Sequence, residues 1–298
     1  MISGKLAPFA ALLLCTLAVA APGTRTVRDD TGAQVAVPAV NCRIVSLAPG
    51  TTAMLFAAGA GRCLVGTIAH SKEPQEADKV PVIGDAETLD FENLLALRPT
   101  VVVVATDVVQ RVRIDRIRKL GISVYEVHVT SLAQMPEAIR RLGALTATQA
   151  VANGEADRLS AQLAALDARY RGRAQVRVLY QIWDSPIYTI GGRHVINDAL
   201  NVCGASNVFA DLETAAPAVT REAAVLRDPD LILISAPPES AAEWRAAWGK
   251  FPTLHAVRNG HVLPYTDERM DRMGPSVVDA TESLCELIES ARTAAGAN

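Results

Sequence analysis

Two glutamates occupy the same place in two copies of one sequence pattern. Glu92 lies in FENLLALRPTVVVVA, residues 91–105, and Glu222 lies in TREAAVLRDPDLILIS, residues 220–235. In each copy an apolar run of helical type follows the glutamate, and a proline, Pro99 or Pro229, stands seven residues after it. A carboxylate near the start of a helix interacts favourably with the helix dipole, and an exposed one can also pair with an arginine of another molecule. The chemistry that this spacing favours is therefore ionic contact, ahead of catalysis.

Catalytic motifs are missing from the sequence. A hydrolase would need a nucleophile beside a base, or a cluster of histidines and carboxylates. The sequence has no GxSxG, no HExxH and no phosphate-binding glycine loop, and Gly191-Gly192 is typical of a turn. A receptor for zinc or manganese would need several histidines at one cleft. Four histidines share no ligand spacing and are expected to be structural or surface residues: His128, His194, His255 and His261. We therefore predict a binding protein and not an enzyme.

The repeated pattern also predicts the elements that hold the two glutamates. Proline lacks an N–H and restricts the residue before it, so Pro99 and Pro229 each end a helix. The apolar runs that follow, 101–104 and 231–234, suit parallel strands buried on both faces. Two such helix–turn–strand units, 130 residues apart, indicate two similar α/β lobes with a cleft between them.

The rest of the chain completes this architecture. A hairpin over 26–38 and alternating strands and helices up to residue 145 form a first lobe, in which Thr51 or Thr52 is expected to cap a helix at 54–60. Residues 146–172 form one long helix, because apolar side chains recur at i, i+4, i+7 and i+11 from Leu159. The predicted fold is α/β: two Rossmann-like lobes, 21–145 and 173–298, joined by the long helix, with the ligand cleft between them.

The first 20 residues have the three parts of a secretory signal. Lys5 supplies the positive start, residues 9–19 the apolar core, and Ala18-Val19-Ala20 the cleavage site, cut after about Ala20. The apolar run is shorter than the about 20 residues that span a bilayer, and no later segment resembles a membrane helix. The formal net charge is −3, and no basic patch suggests nucleic acid as a partner. We expect an exported, soluble, monomeric protein in the periplasm.

Four cysteines follow the signal: Cys42, Cys63, Cys203 and Cys285. An even number in an exported chain predicts two disulfides, although the sequence alone allows three pairings, and the spacing matches no zinc site. Cys42 and Cys63 each precede a predicted strand, 44–47 and 64–67, and neighbouring parallel strands would place them side by side. A Cys42–Cys63 bridge is therefore expected, which leaves Cys203 to pair with Cys285.

Five segments resemble one family of transport proteins. They read RIVSLAPGTTAMLFAAGAG, FENLLALRPTVVVV, INDALNVCGASNVFAD, VTREAAVLRDPDLILI and GPSVVDATESLCEL. Together they are similar to the helix-connected periplasmic binding proteins of ABC importers, which deliver cobalamin, haem or ferric siderophores. The resemblance covers about residues 40–293 and is strongest to the cobalamin-binding members.

The resemblance implies a function and several residue roles. It implies capture of cobalamin or a related corrinoid, or alternatively of haem or a ferric siderophore, with no cofactor of the protein's own. The partner would be an ABC permease and ATPase complex in the inner membrane, on whose arginines Glu92 and Glu222 would dock. It also implies the Cys203–Cys285 disulfide, whereas Cys42 and Cys63 are an addition to the family pattern.

The pocket departs from the cobalamin-binding pattern. His70 stands where the family has a tyrosine, and Ala86 and the 105–106 region stand where it has tryptophans. Trp183 is new, and Tyr188 retains an aromatic residue. We expect Trp183 and Tyr188 to form pocket walls, with a core position for Trp183 as the alternative.

Two kinds of polar side chain are also expected in the pocket. His70 could be the axial ligand of a bound metal macrocycle, or a solvated loop residue. Arg269 and Arg272, in the charged segment 266–272, could pair with haem propionates, siderophore carboxylates or a corrinoid phosphate.

Overall fold

A computed structural model of the protein describes residues 23–39, 41–85, 87–106 and 108–295. The predicted signal peptide, residues 1–20, and Ala86 lie outside these ranges. Within them, no helix is both long and apolar enough to cross a membrane.

The first lobe begins with the predicted hairpin and continues as alternating strands and helices. Strands β3, β4, β5 and β6 form one parallel sheet in the order β4-β3-β5-β6. Its elements are β1 (Thr24–Arg28), β2 (Gln34–Pro38), β3 (Ile44–Ser46), α1 (Pro49–Ala57), β4 (Leu64–Gly66), α2 (Phe91–Ala96), β5 (Val101–Ala105), α3 (Arg111–Lys119), β6 (Val124–Val127) and α4 (Gln134–Thr146). Residues 101–104 are buried on both faces of the sheet, as predicted.

A long helix follows the first lobe. Helix α5 (Gln149–Tyr170) lies inside the segment 146–172 that the sequence analysis gave to the connector. Its 22 residues span about 33 Å. Helix α4 ends separately, because Ala147 adopts a left-handed φ of 58°. The predicted apolar stripe faces inwards: Leu159, Leu166 and Tyr170 are buried, and Leu163 packs against the same core.

The second lobe repeats the parallel sheet with an antiparallel addition. Its elements are β7 (Val176–Trp183), β8 (Ile187–Thr189), α6 (Val195–Val202), β9 (Ala205–Asn207), β10 (Ala218–Val219), α7 (Arg221–Arg227), β11 (Leu231–Ile234), α8 (Pro238–Trp248), α9 (His255–Arg258), β12 (Val262–Pro264) and α10 (Ser276–Ala295). The sheet order is β10-β8-β7-β11-β12, with β9 beside the first half of β7. Strand β8 runs antiparallel to both β7 and β10. The predicted two-lobed α/β fold is therefore confirmed.

The two copies of the repeated pattern share their backbone conformation. Helices α2 and α7 each end just before a proline, and the residue before it, Arg98 or Asp228, has a left-handed φ of 45° or 42°. Proline disfavours the right-handed helical conformation of the residue before it, so the chain turns here and enters β5 or β11.

The same side-chain bonds also recur at both helix ends. The backbone N–H of Arg43 donates to Thr100 Oγ1 at 3.0 Å, and that of Arg177 donates to Asp230 Oδ2 at 2.9 Å. The guanidinium of Arg43 donates to the carbonyl of Leu97, and that of Arg177 to the carbonyl of Asp228. In both lobes, similar side-chain hydrogen bonds therefore connect the start of a central strand to the end of the repeated helix.

Both expected disulfides are present. Cys42 and Cys63 join the starts of β3 and β4, with Cα atoms 5.2 Å apart. Cys203 and Cys285 join the end of α6 to α10, with Cα atoms 4.7 Å apart. The Cys42–Cys63 bridge, which was predicted from neighbouring parallel strands, is confirmed, and β3 and β4 do pair in parallel.

Direct bonds also connect the lobes beside α5. Glu73 Oε2 of the first lobe accepts from Ser276 Oγ of the second at 2.8 Å. The backbone N–H of Leu132 donates to Asp198 Oδ2 at 2.7 Å. Arg158 of α5 pairs with Asp279 of α10 at 3.1 Å. The lobes are therefore held together at several points in addition to the connecting helix.

Candidate functional site

Two adjoining cavities lie at the carboxyl ends of the parallel strands. The first, of about 190 Å³, is bounded by residues that follow β3, β5 and β6 and by residues 271–273 of the second lobe. The second, of about 470 Å³, is bounded by residues that follow β11 and β12. Asp271 lines both. Ligands of open α/β sheets bind outside the carboxyl ends of the strands, so these cavities mark the candidate cleft between the lobes.

The first cavity has mainly apolar walls. Its apolar lining includes Met54, Val108, Val127, Val129 and Met273. Ala105 also lines it, at a position where the resemblance places a tryptophan in the family. A small side chain there leaves space for part of a ligand.

The start of α1 touches the second lobe beside this cavity. A Cβ atom at Gly50 would collide with the backbone carbonyl of Met273. Glycine at this position therefore allows the two lobes to approach closely at the base of the cleft.

A buried hydroxyl network supports the first-lobe side of the cleft. Thr52 Oγ1 lies 2.9 Å from both Ser46 Oγ and Thr67 Oγ1, and Ser46 Oγ lies 2.7 Å from Thr51 Oγ1. These side chains are fully buried or nearly so. The network joins the end of β3 to the loop after β4, which carries His70.

The predicted cap of α1 is wrong. The helix begins at Pro49 and its N-cap is Ala48, so Thr51 and Thr52 lie in its first turn. Proline at the first helical position is favoured because its missing N–H would have no partner there in any case. Both threonine hydroxyls lie within hydrogen-bonding distance of the Ala48 carbonyl, at 2.9 and 3.1 Å.

His70 is exposed and borders neither cavity. Its φ is 68°, a left-handed conformation that the tight turn at residues 68–72 requires. In the part of the chain that the structure describes, its imidazole makes no hydrogen bond. The geometry leaves the ring available to a ligand but does not direct it into the first cavity.

Trp183 and Tyr188 pair with each other on the β7–β8 hairpin, at the carboxyl end of β7, and line neither cavity. Ser235, which lines the second cavity, donates from its backbone N–H to the carbonyl of Gln181 at 2.8 Å, two residues before Trp183. Trp183 is 57% exposed and Tyr188 38% exposed. The alternative that Trp183 is a core residue is therefore wrong. Its ring meets Trp244 edge-on, with ring centroids 6.1 Å apart.

Both arginines of segment 266–272 are already paired. Arg269 donates to Asp267 through Nε at 2.8 Å and Nη2 at 2.5 Å, and lines neither cavity. Arg272 lines the first cavity, where it donates to Glu268 at 3.0 Å and lies 3.7 Å from Glu73. The guanidinium of Arg269 in turn lowers the pKa of Asp267. Neither arginine offers an unneutralised charge to an anionic ligand.

Asp271 is a cleft residue that the sequence analysis did not select. Its carboxylate accepts from Ser235 Oγ at 3.3 Å and has no arginine or lysine partner among the described residues. Partial removal of water at the junction of the cavities raises its pKa, and nearby Glu268 and Asp267 raise it further. The signal for an acidic cleft surface that the sequence did contain is that residues 266–272 include more acidic residues than arginines. This side of the cleft suits hydrogen-bond donors and repels carboxylates.

Glu92 and Glu222 occupy matching exposed positions in the first turns of α2 and α7. Other residues cap these helices: Asp90 Oδ1 accepts from Glu92 N at 3.0 Å, and Thr220 Oγ1 accepts from Ala223 N at 3.1 Å. Neither glutamate carboxylate is ion-paired within the described ranges. Both remain available to an external cation.

Over the described ranges, no group of three or more histidine, cysteine, aspartate or glutamate side chains is placed to hold a metal ion. The lining of the two cavities includes apolar side chains, Tyr265, and the acidic side chains of Glu268 and Asp271.

Comparison with known proteins gives matches over most of the chain. A family model described as periplasmic binding protein matches residues 44–268. A vitamin B12-binding protein of Salmonella choleraesuis (strain SC-B67) is 28% identical over 246 residues, which are 83% of this chain and 90% of that protein. One from Vibrio parahaemolyticus is 27% identical over 250 residues, or 84% and 90% of the two chains.

Solved structures show the same architecture. The periplasmic vitamin B12-binding protein of Vibrio cholerae superposes with a TM-score of 0.77 at 28% identity, over 84% of this chain and 97% of that one. The periplasmic haem-binding protein of Roseiflexus sp. RS-1 gives 0.72 at 22% identity, over 85% and 100%. At that identity the second likeness concerns the fold alone.

Proposed function

This chain belongs to the periplasmic binding protein family, and we propose that within it the protein captures a corrinoid, cobalamin or a close relative, between its two lobes. The relatives that are 27–28% identical over more than four-fifths of the chain are named for vitamin B12 binding. The apolar first cavity would receive one edge of the flat macrocycle, and Trp183 and Tyr188 would cover its outer part.

The acidic second-lobe face of the cleft favours a corrinoid over haem. Haem carries two propionate carboxylates, whereas the rim of cobalamin carries amide groups that donate hydrogen bonds. Asp271 has no cationic partner in the described structure, and Arg269 and Arg272 are neutralised by Asp267 and Glu268. A propionate placed here would meet a surplus of negative charge, while an amide would find acceptors. This is the observation that carries the proposal.

We further propose that the loaded protein delivers its ligand to an ABC permease and ATPase complex. The exposed carboxylates of Glu92 and Glu222, one on each lobe, would pair with two arginines of the permease. The mature protein would act in the periplasm after removal of about residues 1–20.

A titration distinguishes the ligand classes. Calorimetry and visible absorbance of the mature protein with cyanocobalamin should give one-to-one binding, and haemin should give no specific Soret band. Binding of haemin with a Soret band that shifts on His70→Ala, and no binding of cyanocobalamin, would replace the corrinoid proposal by haem. Failure of both ligands would direct the search to ferric siderophores and contradict the corrinoid proposal.

Corrinoid affinity should depend on pH through Asp271. Its pKa lies above that of an ordinary aspartate, so on acidification from neutral pH it takes up a proton before an ordinary aspartate does. The protonated carboxyl has lost its negative charge and one of its oxygens has become a donor, so it accepts hydrogen bonds from ligand amides more weakly, and affinity should fall as pH decreases through this pKa. Calorimetry between about pH 7 and pH 4 measures the effect. In Asp271→Asn this part of the pH dependence should disappear, and an unchanged profile in that variant would exclude Asp271 as its source.

A further inference from the structure

One ion pair links the hairpin that carries Trp183 to the helix that carries Glu222. Arg221 Nη2, at the first position of α7, lies 2.7 Å from Oδ1 of Asp184, the residue after Trp183. The two side chains are only 21% and 25% exposed. Partial burial and a short charge-assisted hydrogen bond make this contact stronger than a typical surface ion pair.

The ion pair continues into a buried network. Asp184 Oδ1 also accepts from Gln181 Nε2 at 2.9 Å, and Gln181 Oε1 accepts from Trp248 Nε1 at 2.7 Å. Gln181 and Trp248 are fully buried. The guanidinium of Arg221 lies over the Trp248 ring, 4.6 Å from its centroid. The orientation of Asp184 is therefore fixed from two sides by residues that have little freedom themselves.

The backbone makes a second connection between the same two elements. Tyr188 and Ile187 of β8 pair with Ala218 and Val219 of β10, and α7 begins two residues after Val219. The hairpin that carries Trp183 and Tyr188 is thus connected to the helix that carries Glu222 in two ways. One is the pairing of β8 with β10, and the other is the side-chain network around Asp184.

Among the described residues of the first lobe, no equivalent ion pair is present. Phe91 stands at the position equivalent to Arg221, and its ring is covered by Arg116 of α3, whose guanidinium carbon is 3.9 Å from the ring centroid. In the first lobe, Phe91, the residue before Glu92, therefore contacts the neighbouring helix α3. In the second lobe, Arg221, the residue before Glu222, contacts the β7–β8 hairpin.

We propose that Asp184 and Arg221 are positioning residues of the ligand site. Asp184, held by Arg221, fixes the conformation of the Trp183–Tyr188 hairpin and joins it to α7. The role of Trp183 as a wall for the ligand rests on the proposed function, but the fixing of the hairpin does not.

The test has one readout without ligand and one with it. In Asp184→Asn the backbone amides of residues 183–185 and 187–189 should exchange with deuterium at least about fivefold faster than in the parent, because the charge-assisted bond is lost while the side-chain shape is kept. Amides of β9 serve as an internal reference. Asp184→Glu, which keeps the charge, should restore part of the protection. Asp211→Asn breaks an ion pair with Arg227 at the other end of α7 and should leave the hairpin unchanged.

The second readout is a double-mutant cycle on the dissociation constant of cyanocobalamin. Asp184→Asn should weaken binding about tenfold in the parent and have no further effect in a Trp183→Ala background, because it acts through that ring. An equal loss in both backgrounds, or unchanged exchange of residues 183–185 and 187–189, would overturn the positioning role. If the parent protein binds no corrinoid, the proposed function fails, and the exchange measurement still decides whether Asp184 fixes the hairpin.

Discussion

Replacing Cys203 and Cys285 together by alanine should lower the free energy of unfolding by about 4–5 kcal/mol. The disulfide closes a loop with a sequence separation of 82 residues, so its removal restores much conformational freedom to the unfolded chain. It also joins α6 to α10 in the core of the second lobe, where both cysteines are fully buried. Urea unfolding followed by circular dichroism under non-reducing conditions measures the change.

The first disulfide provides the comparison. The Cys42–Cys63 bridge closes a separation of 21 residues, so its replacement by alanine pairs should cost about 3 kcal/mol. The order of the two effects is the critical result. A larger loss from the Cys42/Cys63 pair would show that loop length does not control the stabilisation here.

Replacing Glu92 and Glu222 together by alanine should lower corrinoid uptake more than about tenfold while leaving ligand affinity unchanged. Both carboxylates are exposed and lie away from the two cavities, so their loss should not alter the cleft. Each single variant should retain intermediate uptake, because one ionic contact would remain. Uptake by reconstituted permease, with binding measured in parallel by calorimetry, separates the two effects.

A matched glutamate controls for surface charge. Glu239 is also exposed and lies in the first turn of a helix of the second lobe, α8, and Glu239→Ala should not change uptake. Binding to the permease should also weaken as salt concentration rises, since exposed charge pairs are screened. Loss of ligand affinity in the Glu92/Glu222 variant, with normal transport of each bound ligand, would contradict docking.

Local signals predicted the parts of the fold that depend on neighbouring residues. Pro99 and Pro229 marked the two helix ends, and the apolar runs behind them became β5 and β11. The three short strands β8, β9 and β10 were missed, because segments of two or three residues are stabilised by pairing with distant strands and carry little pattern of their own. The cap of α1 was misplaced because Pro49 starts that helix before the threonines.

The site was harder to predict than the fold. The sequence identified segment 266–272 as charged, but not that Arg269 and Arg272 pair with acids within the same segment. These pairs make Asp271 the carboxylate that faces both cavities, a result of how the chain turns before α10. Trp183 was expected to be a pocket wall; it is exposed but lines neither cavity, and its contact with Trp244 and the nearby Asp184–Arg221 ion pair depend on contacts between distant elements. Such contacts leave no spacing pattern in the sequence.

The bonds that Glu73 and Leu132 make between the lobes, and the ion pair of Arg158 on the connecting helix with Asp279, have a kinetic consequence. Because these contacts and α5 already hold the lobes together, ligand entry needs no preceding hinge rotation. We expect association to be a single bimolecular step, and the lifetime of the complex to reflect only how fast ligand contacts break. We therefore expect no separate closed state whose reopening would expel the ligand. Rapid unloading would require mechanical work on the two lobes, supplied from outside the molecule.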